Sequence, residues 1–91
     1  MAFTPEPDRV YRPAERQEPY GRATFPDGST RDGKVTAWEG DMVLFNWPER
    51  HPGDRHQLWM PASRVRRIPR RESSWQDAYD DHAFFEANGE L

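Results

Sequence analysis

Apolar and polar positions alternate in an orderly way only in the middle of this chain. From Tyr20 onward, short apolar stretches recur between groups of turn-forming residues. Tyr20 to Phe25 reads as a first strand, closed by Pro26-Asp27-Gly28-Ser29, where proline presets φ and glycine tolerates a positive φ. Asp32-Gly33 marks a bulge or a second turn. Lys34 to Glu39 alternates and is rich in strand formers, and Gly40-Asp41 then reverses the chain. Met42 to Trp47 is the most hydrophobic stretch, with a length that suits a buried strand better than a helix. One parity of this strand carries Val43, Phe45 and Trp47, the other Met42, Leu44 and Asn46. One set faces the interior and the other needs a cover, for which a C-terminal helix is the candidate. After a polar loop from Pro48 to His56 come a short strand, Gln57 to Met60, a corner at Pro61-Ala62-Ser63, and a last strand near Arg64 to Ile68. Five short strands with tight turns leave no room for crossover helices. The pattern therefore predicts a mainly β fold, a five-stranded antiparallel barrel over residues 20–71.

The flanks break this pattern. Residues 1–19 hold four prolines and no apolar periodicity, so they read as a flexible, disordered arm. In 72–91, Ser74 offers an N-cap with Asp77 as the capping-box acid, and Gly89 offers a stop, which predicts a helix. On its wheel Trp75, Ala78, Tyr79, His82 and Phe85 share a face, with Asp77, Asp80 and Asp81 opposite and Phe84 on the acidic side. A helix of about 13 residues is marginal alone in water, so it docks on the barrel, docks on a partner, or frays.

Composition narrows the picture. Hydrophobic residues make up 34% and charged residues 32%, too polar a mixture for a core along the whole length. An aromatic share of 13% argues equally against disorder throughout. No cysteine is present, which removes disulfides and thiolate metal sites. No run is apolar enough to cross a bilayer, and no signal-peptide core follows Met1, so a cytoplasmic location with no membrane contact is expected. Lys34 is the only lysine among many arginines, a bias of GC-rich bacterial or phage genomes. The net charge of -3 conceals a division: the middle segment has an excess of arginine, whereas 72–91 carries six acids and no Lys or Arg.

Two runs carry a family resemblance. Leu58 to Ile68 (LWMPASRVRRI) resembles the closing segment of Src-homology-3 domains, in which an aromatic strand is followed by proline, a small residue, a one-turn 3₁₀ helix, valine and a later isoleucine. Gly33 to Trp47 (GKVTAWEGDMVLFNW) resembles the central hairpin of Tudor-like and bacterial SH3-like barrels. Together they hold 26 of the 91 residues, and the resemblance implies the barrel more than any ligand. Arg64 stands where proline-peptide binders of the Src-homology-3 family carry a tyrosine, and their Ala-Leu-Tyr-Asp-Tyr stretch is missing. Eukaryotic-style proline-peptide binding is therefore not implied.

Candidate chemistry points to binding. No acid and histidine are placed to activate Ser63, no glycine-rich loop opens a helix, and no catalytic constellation or cofactor site emerges. His51, Asp54 and His56 lack a fourth metal ligand and read as loop polarity. Trp38, Phe45, Trp47 and Trp59 fall on adjacent strands, and aromatics so placed form either a cage for a methylated cation or the core itself. The expected function is a non-enzymatic protein-binding adaptor or regulator. Its contact residues would be Trp38, Trp47 and Trp59 of the barrel with Trp75, Tyr79, Phe84 and Phe85 of the acidic tail. Two alternatives stand beside it. Arg64, Arg66, Arg67, Arg70 and Arg71 suit nucleic acid, with the tail autoinhibitory, or they seat that tail by charge. The second alternative is a structural subunit of a larger assembly.

Overall fold

The computed structural model describes residues 3–50 and 54–91. Five strands form one antiparallel sheet: β1 (Tyr20–Thr24), β2 (Thr30–Glu39), β3 (Met42–Pro48), β4 (Arg55–Pro61) and β5 (Val65–Arg67). Their spatial order is β4-β3-β2-β1-β5. Side chains from all five strands nevertheless meet in one cluster, Ala23, Val35, Phe45 and Met60 with Val65 against them, so the sheet wraps around a shared interior. It does not close, however: β4 and β5 remain its two ends, where a complete barrel was expected.

The turns follow their chemistry. Gly28 has φ 86°, and Asp27 Oδ1 accepts hydrogen bonds from the Ser29 N–H and hydroxyl, at 2.9 and 2.6 Å. Asp32-Gly33 is neither turn nor bulge but lies inside β2, which begins four residues earlier than the alternation suggests. Gly33 is needed there for space. A Cβ on it would fall 2.0 Å from the Asn46 carbonyl oxygen and 2.9 Å from the Phe45 ring, so only glycine lets β2 and β3 cross this closely. The bulge of β2 comes later, between Val35 and Ala37. It sends Val35 and Trp38 to the inner face with Phe45 and Val43, and turns Ala37 and Leu44 outward. Between β4 and β5 the chain makes one 3₁₀ turn, Ala62–Arg64.

The outer face has two covers. Residues 3–19, expected to form a loose arm, lie along the sheet. Where β1 leaves the flank of β2, Tyr11 takes its place, exchanging backbone hydrogen bonds with Trp38 at 2.8 and 2.9 Å. Phe3 reaches Trp59, with ring centroids 5.2 Å apart. The arm, not the C-terminal helix, thus stands over Met42 and Leu44. The C-terminal segment covers the other half, where Phe85 joins Tyr20 and Ile68 in a second buried cluster.

The helix itself is shorter than expected. Only α1, His82–Ala87, is helical, capped by Asp81, whose carboxylate accepts from Phe84 N at 3.2 Å. The residues before it spend their polar groups elsewhere. Ser74 N–H donates to Asp32, Asp77 N–H donates to the Tyr20 hydroxyl at 2.8 Å, and Asp77 Oδ1 accepts from Tyr79 N–H at 2.9 Å. Such local and tertiary acceptors outcompete a helical ladder that is weak at this length.

Candidate binding surfaces

The arm and the strands β3 and β4 enclose a groove of about 830 Å³. Phe3, Pro5 and Val10 form one wall, and Met42, Leu44 and Trp59 form the other. Leu58, 48% exposed, stands at its rim on β4. Arg12 is the one charged side chain in the lining, and it has no carboxylate partner among the described residues. An apolar trough with a single cation in its lining can hold a largely apolar ligand and attract one anionic group on it.

Below the tail lies a charged cluster that the alternation gave no sign of. Tyr20 and Lys34 are directly paired across β1 and β2, and both are buried. Asp80 enters between them with a fully buried carboxylate. Its two oxygens accept from the Lys34 ammonium and the Tyr20 hydroxyl, and Arg70 Nε donates at 2.9 Å. Glu18 adds a second carboxylate 3.0 Å from Lys34, and Asp77 a third at 3.8 Å. Arg70 also donates to Gln76 and to the Asp77 carbonyl. Every charge is thus met by an opposite one, the condition on which buried ions are tolerated. Burial, reinforced by the bond to Asp80, pushes the Tyr20 phenol well above its ordinary pKa. Burial works the other way on Arg70, but Asp80 and Tyr20 together outweigh it and raise the guanidinium above its ordinary pKa. Beside this cluster burial would raise Asp32, yet the two-pronged bond from Arg22, at 2.7 and 3.1 Å, and the Ser74 N–H hold it below the usual carboxylate range.

The tail therefore spends its acids and most of its aromatics on the chain's own sheet. Phe85 is fully buried, 5.7 Å from the Tyr20 ring, and Phe84 packs on Phe85. Trp75 is half-buried between Tyr20 and Arg55, whose guanidinium lies 4.5 Å from its ring. Of the four tail aromatics singled out, Tyr79 alone is largely open, at 78% exposure. The tryptophans of the sheet divide as well. Trp47 stacks on Phe45 inside the core, Trp38 packs beside it against Tyr11, and Trp59 stands on the outer face opposite Leu44. Phe45, Trp47 and Trp59 thus do not converge as a cage. The Trp47 indole N–H is buried with no hydrogen-bond partner among the described residues.

The arginine cluster is likewise dispersed. Arg70 is buried on Asp80, Arg67 pairs with Glu90 at 3.2 Å, and Arg71 donates to the Gly89 carbonyl. Arg64 and Arg66 remain exposed on the β5 side of the sheet. This is the internal charge match that seats the acidic tail. His56 sits 3.3 Å from Asp54, while His51 lies outside the described residues. No group of three or more possible metal ligands occurs among the described residues. Among them, too, no helix is long and apolar enough to cross a membrane.

Sequence reasoning missed Tyr20, Lys34 and Asp80, and also the groove, because its wall is an arm without periodicity. A faint signal existed: a lone lysine inside a strand, flanked by Gly33 and Val35, stands where a hydrophobic residue is normal. No family model, no curated protein and no solved structure matches this chain.

Proposed function

We propose that this chain is a non-enzymatic protein-binding adaptor or regulator of the cytoplasm, related to SH3-like barrels, that contacts its partner through the groove between the arm and β3–β4. The observation that carries this reading is an apolar groove bordered by a half-exposed leucine and a half-buried tryptophan, Leu58 and Trp59, on a molecule whose other large side chains are mostly committed to two cores. Large aromatic anchors in a desolvated trough supply most of the energy in protein contacts. The SH3-like relationship is supported by the strand order and by the 3₁₀ turn Ala62–Arg64, set between Pro61 and Val65 with the buried Ile68 beyond. The nucleic-acid reading loses most of its arginines to internal partners and would rest on Arg64 and Arg66.

The test compares the full chain with Leu58→Asp, a substitution at an exposed position, as immobilised baits for host proteins. Circular dichroism first establishes that both melt alike. Specific capture by the parent should fall at least about tenfold with the variant. The same proteins retained equally by both baits would remove the groove from the function.

A further inference from the structure

We infer that the occupant of the groove is an extended segment of another protein, laid along β4 as a sixth strand, whose groove-facing alternate residues are apolar except for one acidic residue that sets its carboxylate on Arg12. This inference rests on the protein-binding reading of the same groove and specifies the chemistry of the partner. Three observations lead to it.

First, β4 is an end strand, and its outer flank carries no backbone hydrogen bond to another strand among the described residues. Proteins normally blunt such an edge with charge, proline or a cover, because its free N–H and C=O groups template a further strand. Here proline comes only at the end, at Pro61, and the stretch Gln57–Met60 is left open with Leu58 exposed in its middle.

Second, the groove runs beside that edge, since Gln57, Leu58 and Trp59 of β4 line it. A strand added to β4 turns every second side chain to the groove side of the sheet. Apolar residues at alternate positions then meet Met42, Leu44 and Trp59, while backbone bonds to β4 supply the register.

Third, among the described residues Arg12 is the only charge in that lining, and it has no carboxylate partner among them. A carboxylate on the incoming segment satisfies it, whereas a lysine or arginine there would face an uncompensated like charge. Proline is excluded at the positions whose N–H faces β4, because it lacks the donor that the β4 carbonyls require.

The experiment selects displayed random nonapeptides on the immobilised full chain. Fluorescein-labelled copies of the enriched peptides are then titrated against the parent, Arg12→Glu and Leu58→Asp. The expected result is enrichment of peptides with apolar residues at every second position and one Asp or Glu on that same face. Affinity should drop about fivefold with Arg12→Glu, the scale of a reversed exposed pair, and at least about tenfold with Leu58→Asp. Methylating one central peptide nitrogen, which deletes a single N–H, should weaken binding severalfold. Enrichment of basic or proline-rich peptides that still depend on Leu58 would overturn this occupant and leave the groove reading intact. Peptides indifferent to Leu58→Asp, or no enrichment at all, would overturn both. A chain that sediments as a dimer, and as a monomer after Leu58→Asp, would name a second copy as the occupant and overturn the peptide.

Discussion

The two faces of the sheet are closed by different physics. Inside, Phe45 is fully buried among Ala23, Val35 and Met60, a cluster of hydrocarbon and aromatic surface held by non-directional burial. Outside, Phe85 is buried just as completely, but beside Tyr20 and Ile68 it shares its space with Lys34, Arg70 and Asp80. The first interior accepts any side chains of fitting volume. In the second, three groups converge on a single carboxylate, so the covering segment can seat in one position only. The contrast teaches that a cover lacking strand or helix periodicity can still be placed uniquely, by charge pairing instead of by pattern.

Substitutions in each region test that contrast. Phe45→Ala should cost the most, about 4 kcal/mol of unfolding free energy in a urea titration, with the whole sheet losing protection at once. A smaller loss confined to one strand would mean that the inner cluster is not the shared centre of the fold. Asp80→Ala comes next, at about 3 kcal/mol, because it takes the carboxylate from buried Arg70 and leaves buried Lys34 with Glu18 and the more distant Asp77. Its signature is local: amide exchange should accelerate in 73–90 well before it does in β1–β4. Uniform acceleration would show that both interiors open together.

The third test is alkaline and smaller. Folded Tyr20 keeps its proton above the pH at which an unfolded tyrosine releases it, so its contribution is intact below about pH 10. As pH rises further, the unfolded chain ionises while the folded one does not, and stability falls by at most about 1.4 kcal/mol per pH unit from this group. Tyr20→Phe should flatten that decline in denaturant melts between pH 9 and pH 11. An unchanged slope would assign the alkaline loss to other residues.

Much of the inner interior could be read in advance, because alternation at Met42–Trp47 and the turns at Gly28 and Gly40 are local properties of the chain. Strand β2 was read too short because its first half is polar: Asp32 serves Arg22, and Gly33 serves a close crossing, neither of which leaves a hydrophobic trace. The tail reads as one helix of about 13 residues, about twice the length of α1, for a related reason. Ser74, Asp77 and Asp80 satisfy helical cap and spacing rules, but their best partners lie some 40 to 60 residues away, on Asp32, Tyr20 and Lys34. A wheel drawn on the segment alone cannot contain those partners. The groove escaped notice because proline-interrupted sequence such as Phe3 to Val10 has no period from which a facing surface can be inferred.

The arm and the tail also touch each other. Arg16 donates to the Tyr79 carbonyl, Asp81 N–H donates to the Arg16 carbonyl at 3.0 Å, and Gln17 bonds the Asp81 carboxylate at 3.1 Å. These seams make the two outer straps a thermodynamically linked pair, and linkage is reciprocal. Any neighbour that lifts one strap loosens the other by the same free energy. A groove occupant that displaced the arm as far as Arg16 would have to break the bonds that hold Tyr79 and Asp81.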